Sequence, residues 1–246
     1  LLDVMGSLQE VCMTVVKWAM RLAPVAVFGL LAQLTTQIGL DALVGMALYV
    51  ATVLLGLALL LAFYMVLVAA FTRLAPLSFI RAVREVLLLG FSTSSSAAVM
   101  PLSIRTAEER LGVRASVAQF VIPLGATINM NGTALYQGVA AVFLAQTFGV
   151  ELGYGDMVLI VAMAVGASIG SPATPGGGII ILAMVLTSVG IPEAGIALIM
   201  GVDRILDMSR TAINVAGDLV TCRLVDRWIP AADTQPPASD QTPVPP

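Results

Sequence analysis

Charged residues punctuate this chain rather than cover it. None occurs between Asp41 and Arg73, between Arg114 and Glu151, or between Asp156 and Glu193. Each gap exceeds the roughly 20 apolar residues that a membrane-crossing helix needs. The apolar pattern divides into six units. Residues 8–38 predict a first helix kinked at Pro24, and 42–72 a second, long enough to cross at a tilt. The third unit, 78–110, is interrupted by Ser92-Thr93-Ser94-Ser95-Ser96 and stopped again by Pro101. The fourth, 115–150, breaks at Asn129-Met130-Asn131-Gly132-Thr133, and the fifth, 157–191, breaks over the Gly- and Pro-rich stretch 170–178. The sixth covers 196–225. After Pro230 the chain turns to Pro, Asp, Gln, Thr and Ala, which predicts a disordered tail over 230–246.

The sixth unit carries the most informative polar pattern. Asp203, Asp207, Arg210, Thr211, Asn214 and Asp218 interrupt an otherwise apolar helix. At about 100° per residue these six positions fall in one stripe roughly 100° wide. An ionisable group at bilayer depth costs about 2.5–3.5 kcal/mol even on the most lenient scale. One Arg does not neutralise three carboxylates, so the stripe is expected to face protein, water or bound cations. It reads as a binding site.

Charge placement then orients the units. Arg73, Arg81 and Arg84, then Arg105, Arg110 and Arg114, and finally Arg223 and Arg227 form three basic groups. The segments near Asp41, Glu151 to Asp156 and Glu193 hold no Lys or Arg, so the basic groups belong on the cytoplasmic side. Both ends of the third unit are then cytoplasmic, which makes it a re-entrant helical hairpin, and the fifth is its mirror from outside. The predicted fold class is an all-α integral membrane protein, with transmembrane helices and two re-entrant helical hairpins in an inverted repeat. Discontinuous helices related in this way and meeting near the midplane point to a secondary transporter. Broken backbone at that depth is tolerated where it lines a cavity.

Composition agrees. The chain of 246 residues is 59% hydrophobic and 11% charged, with a mean hydropathy of +0.98, outside the range of soluble domains. Cys12 and Cys222 form no metal or redox motif. Leu1 is not an initiator and no secretory leader is evident, so the chain is expected to be the C-terminal part of something longer. Simpler readings exist for each motif alone. The Ser run serves helix packing, Gly176 to Gly178 a flexible turn, Asn129 and Asn131 interhelical bonds, and Arg223 and Arg227 headgroup anchoring. Arg204, at the edge of the stripe, fits an interhelix role as well as a site role. A serine hydrolase lacks its base here, since the chain has no His and Lys17 is its sole Lys. A channel is disfavoured by asymmetric tips and a single Arg suited to bidentate solute binding.

At Gly125-Ala126-Thr127-Ile128-Asn129-Met130-Asn131-Gly132-Thr133, at Ala167-Ser168-Ile169-Gly170 with Pro175-Gly176, and at Asp207-Met208-Ser209-Arg210-Thr211 followed by Asn214 to Asp218, the chain resembles the dicarboxylate/amino-acid:cation symporters, the glutamate and aspartate transporter family. The resemblance covers nearly everything before Pro230. It implies a division into a scaffold-type helix over 1–40, a transport domain over 41–229 and the tail. It also implies a symporter, not an enzyme, that takes up glutamate or aspartate with sodium by alternating access. The setting would be a cell membrane, most naturally a bacterial inner membrane, with a homotrimer at full length, the bilayer as surroundings and no nucleic-acid partner. The alternatives left open are a C4-dicarboxylate or neutral amino acid symporter, and proton coupling.

The resemblance further implies roles for residues. Arg210 would hold the solute's side-chain carboxylate, with Asp203 orienting the guanidinium, and Asp207 would take the amino group. Asn214 and Thr211 would bind the main carboxylate, with Ser95, Ser96, Thr133, Thr174 and Gly178 completing the pocket. One sodium site would use Asp218, Asn214, Asn129 and the Gly125 carbonyl. A second would use carbonyls of Thr127, Met130, Ser168, Ile169 and Ser171, which suit a hard cation. Two departures stand out. Asn131 replaces an Asp that helps hold a further sodium, which bears on the number and identity of coupled ions. Ser94 and Met208 stand where relatives often carry an Arg at one or the other, so no accessory charge is expected beside the pocket.

Overall fold

The structure is a computed structural model that describes residues 40–170, 173–192 and 195–230, with isolated positions between 7 and 36. The first expected helix, its Pro24 kink and the 230–246 tail therefore lie largely or wholly outside the described residues. Eight helices follow in order: α1 (Leu40–Thr72), α2 (Pro76–Thr93), α3 (Ser96–Glu109), α4 (Ala115–Ile128), α5 (Asn131–Thr147), α6 (Tyr154–Ser168), α7 (Gly177–Ser188) and α8 (Ile196–Trp228). No strand occurs among the described residues.

In α1 and α6 apolar side chains surround the helix, so burial rather than hydrophobicity distinguishes the inward face. In α1 the inward set is Met46, Tyr49, Val53, Leu57, Tyr64 and Val68, spaced by threes, fours and a seven. Its other face exposes Val44, Leu48, Leu55, Leu59, Phe63 and Val66. Such a surface suits hydrocarbon. Among the described residues, Val44–Thr72 is the one segment long and apolar enough to cross a membrane by itself. α6 repeats the pattern, burying Ile160, Ala164 and Ser168 while exposing Val158, Val161 and Val165.

α8 is the axis. Two apolar clusters pack against it. One joins Tyr64 and Val68 of α1 to α2, α3, α4 and the later half of α8, through Phe79, Val83, Val99, Ile122, Val215 and Leu219. The other joins the earlier part of α1 to α5, α6, α7 and the first half of α8, through Tyr49, Leu57, Tyr136, Leu182, Ile199 and Leu206. The polar stripe lies between them on the same helix. All six of its residues are buried by the chain itself, as the cost of exposing them to lipid requires.

The three expected breaks appear with modest shifts. α2 and α3 pack against each other and meet at Ser94 and Ser95. Ser94 takes a left-handed conformation (φ 53) and its N–H bonds to the Gly90 carbonyl, while the Ser95 side chain caps α3 by accepting from Ala98 N at 3.2 Å. α4 and α5 meet at Asn129 and Met130. α6 and α7 flank the third break, of which Ser171 and Pro172 lie outside the described residues. Pro101 does not stop its helix, contrary to the sequence expectation. It lies in the second turn of α3, where its missing N–H leaves the Ala97 carbonyl without its i+4 donor, and α3 nevertheless runs on to Glu109.

Candidate functional site

The breaks converge on the α8 stripe. Ser94, Ser96, Met130, Thr133, Ala173, Thr174, Gly178, Asp207, Arg210, Thr211 and Asn214 line one cleft. Every expected solute-site residue except Ser95 is on that wall. Ser95 acts from behind it: its Oγ donates to the Ala173 carbonyl at 2.9 Å, and Ala97 N donates to the same oxygen at 3.3 Å. The first tip is thereby joined to the third break, and an unpaired N–H of the first turn of α3 is satisfied.

Arg210, 1% exposed, is held on three sides. Its Nε donates to Asp207 Oδ1 at 3.0 Å and its Nη1 to Asp203 Oδ1 at 3.2 Å. Its Cζ lies 4.1 Å from the centre of the Tyr136 ring, a cation–π contact. Nη2 approaches Asp207 Oδ1 to 2.9 Å but is out of line for a hydrogen bond, so its N–H groups have no acceptor. On that side the wall is Gly178, where an added Cβ would stand 3.0 Å from Cζ and from Nη2. A glycine there lets α7 approach the guanidinium without a side chain between them. Asp207 also accepts from Gly176 N at 3.1 Å. The free space in the cleft is about 20 Å³, room for about one water. What covers the stripe is the main chain of 173–178, so admitting a larger solute requires that segment to move.

Further along α8, Asn214 accepts from Gly132 N at 2.7 Å and donates to Thr133 Oγ1 at 3.1 Å, which fastens the start of α5 to the stripe. Asp218, 2% exposed, receives Asn129 Nδ2 at 3.0 Å. No cationic side chain pairs with Asp218 among the described residues. Gly125 lies against it so closely that a Cβ would come within 2.6 Å of Oδ1. The Gly125 carbonyl is taken by Asn129 N at 2.8 Å, the cap of α4. Asn131 Nδ2 donates to Asn129 Oδ1 at 2.6 Å and to the Tyr64 hydroxyl at 2.9 Å.

The groups around the Asp218 carboxylate are the Asn129 amide, which donates to it, and two oxygens already taken, Asn129 Oδ1 by Asn131 and the Gly125 carbonyl by Asn129 N, so a hard cation there would need those oxygens freed. They do not form the acidic cluster of a tight divalent site: no three of His, Cys, Asp and Glu converge among the described residues. Asn214 faces the solute cleft through its hydrogen bonds to Gly132 and Thr133 rather than bonding to Asp218. The second expected cation set consists of main-chain carbonyls, one of which lies outside the described residues. Thr127 bonds through Oγ1 to Leu124 and Ser168 to Val165, the Met130 carbonyl accepts from Ala134 N at 2.9 Å, Ile169 is exposed, and Ser171 lies outside the described residues.

Some participants escaped the sequence reading. Tyr136 and Tyr64 gave no signal beyond being aromatic in apolar helices. Ala173 and Gly176 act through main-chain atoms, which residue type does not reveal. The expected lack of an accessory charge is overturned: Arg204 Nη1 donates to Ser94 Oγ at 2.7 Å, at the rim of the cleft. An arginine absent from positions 94 and 208 arrives from 204.

A helical protein that closes a small charged cleft between apolar, lipid-suited surfaces is of the membrane carrier class. Residues 1–228 match the Sodium:dicarboxylate symporter family, and the chain belongs to that family. It is 36% identical over 214 residues to the proton/sodium-glutamate symport protein of Bacillus subtilis (strain 168), covering 87% of this chain and 50% of that protein. It is 38% identical over 231 residues to the proton/glutamate-aspartate symporter of Escherichia coli (strain K12), covering 93% and 52%. Excitatory amino acid transporter 1 of Homo sapiens is 39% identical over 228 residues, covering 89% and 41%. The chain spans about half the length of these relatives.

Proposed function

We propose that this chain forms the solute- and cation-binding part of a secondary symporter for acidic amino acids, driven by a sodium or proton gradient. The observation that carries the proposal is the buried Arg210, which lines the cleft with Thr174 and Gly178 and whose Nη2 has no hydrogen-bond acceptor. A guanidinium offers a carboxylate a bidentate partner that Lys does not. Asp207, whose bond to Gly176 N is the one a moving segment would release, is placed to receive an ammonium group. That carboxylate disfavours a C4-dicarboxylate without an amino group. Thr133, Thr211 and Asn214 supply neutral donors for the second carboxylate, with Ser96 and Thr174 at the two tips. The names of the relatives support glutamate or aspartate as solute.

Coupling follows from charge. Asp218 is a buried carboxylate with a neutral amide partner, and a bound cation supplies its missing counter-charge. Asn129 and Gly125 lie against that position, Asn214 would turn toward it, and Thr127, Met130, Ser168, Ile169 and Ser171 would offer carbonyls for a second cation once the tips rearrange. Thr133 and Gly132 link the cation end of the stripe to the solute end through Asn214. Occupancy of one site then favours the other, and the linkage is reciprocal. In this reading α2–α3 and α6–α7 are re-entrant hairpins of an inverted repeat, residues 41–229 move as a transport domain against a scaffold that includes 1–40, and the intact protein is a trimer in a cell membrane. Alternating access is then the motion of the loaded domain.

Uptake of radiolabelled aspartate into liposomes containing the intact protein, with sodium and proton gradients imposed separately, tests the proposal. Saturable uptake driven by either gradient and competed by glutamate supports it. Ohmic current without solute uptake, or equal competition by succinate, refutes it.

A further inference from the structure

Arg204 is a guanidinium set half-buried into the apolar stretch of α8, and no carboxylate lies within ion-pair distance of it among the described residues. Its hydrogen-bond partner is a neutral hydroxyl, Ser94 Oγ, at 2.7 Å. The two acids nearest in sequence are engaged elsewhere: Asp203 with Arg210, and Asp207 with Arg210 and Gly176 N. A cation at this depth without a counter-charge is expensive, and such residues mark places where charge has a use.

Charge at the cleft supplies that use. Asp203 and Asp207 contribute two negative charges and Arg210 one positive, so the solute end of the stripe is one charge negative without Arg204. An acidic amino acid brings a further net negative charge. Ser94, the partner of Arg204, itself lines the cleft and holds a left-handed backbone (φ 53) that side-chain-bearing residues seldom adopt. The bond from Arg204 crosses 110 positions of sequence and ties the first tip to the helix that carries Asp207 and Arg210.

We propose that Arg204 is a second cation of the solute site, a specificity-determining residue that, tethered to Ser94, neutralises the wall of the cleft and favours solutes with two carboxylates. The inference rests on the symport reading above. Long-range charge of this kind governs which solutes are admitted more than it adds a contact.

Calorimetry of aspartate binding to the purified intact protein at saturating sodium tests it, with wild type, R204K, R204Q and S94A compared. R204K keeps the charge and is expected to bind within about twofold of wild type. R204Q keeps a donor for Ser94 but loses the charge, and is expected to weaken binding about tenfold, with the deficit shrinking at high salt. S94A keeps the charge without the tether and is expected to lose less than R204Q. Wild-type affinity in R204Q overturns the inference. So does a loss in R204K or S94A as large as that in R204Q, which would make the contact a mechanical clasp. Should R204Q fail to fold, R204M takes its place in the same comparison, and wild-type affinity in that variant overturns the inference. No aspartate binding by the wild-type protein under any cation would defeat the symport reading first, and this inference with it.

Discussion

Asn129 Nδ2 lies 3.0 Å from Asp218 Oδ1, and that amide is the one side-chain hydrogen-bond donor to this buried carboxylate among the described residues. The residue at the break between α4 and α5 thus meets an acid in the later half of α8. A neutral donor leaves the carboxylate's charge unmatched, a deficit that a bound cation would relieve.

Asp218→Asn removes that charge while keeping the shape. Its sodium activation curve for aspartate uptake is expected to shift to at least about tenfold higher sodium, as loss of one charge-assisted contact implies. A curve superimposable on wild type would exclude Asp218 from cation coupling. If protons drive uptake instead, the same variant should flatten the pH dependence.

Arg210→Cys removes the guanidinium and leaves Asp203 and Asp207 without a cation, the kind of change that costs about 3–5 kcal/mol for a buried pair. Aspartate binding is expected to fall by more than about a hundredfold. Neutral amino acids are expected to bind instead, because the repelling carboxylates no longer face a second one. Competition of labelled aspartate and labelled serine reads both effects.

Gly178→Ala tests the close approach of α7 to Arg210. Gly178 lies in the first turn of α7, where helix propensity brings less than the roughly 1 kcal/mol of a helix interior, so overpacking of about 1–3 kcal/mol should lower thermal stability in detergent. The new methyl group, 3.0 Å from Arg210 Cζ, must push the guanidinium aside, and aspartate affinity is expected to drop about tenfold. Unchanged affinity would show that the Arg210 edge facing Gly178 is not used.

Ser95→Ala breaks two things at once, the cap on α3 and the bond to the Ala173 carbonyl. Cap loss costs about 1 kcal/mol, and the melting temperature should fall by about 2–4 °C. With the tip-to-tip bond gone, segment 173–178 should open more readily, seen as faster labelling of a cysteine placed at Thr174. Wild-type labelling would show that Ser95 does not hold the cover down.

Much of this was legible along the chain. The Ser92 to Ser96 run lies at the α2–α3 tip, the Asn129 to Thr133 run at the α4–α5 break, and the stripe faces inward on α8. Each is a local signal, carried by residue type and helical period. Pro101 misled because one lost i→i−4 bond does not end a helix whose turns pack against α2, α4 and α8. Arg204 was open between an interhelix role and a site role, and nothing local shows that Asp203 and Asp207 both turn toward Arg210 and leave it to Ser94.

Sequence alone determined that this protein places helices, breaks and one ridge of charge inside an apolar medium. Those features follow from transfer free energy and the 3.6-residue repeat, which act on short stretches. Which atoms meet across the breaks was decided by the tertiary structure. Ser95 finds Ala173 across 78 positions, Asn129 finds Asp218 across 89, and Arg204 finds Ser94 across 110. Such pairings depend on how two apolar clusters pack around α8 and on main-chain groups that every residue shares, so no periodicity announces them.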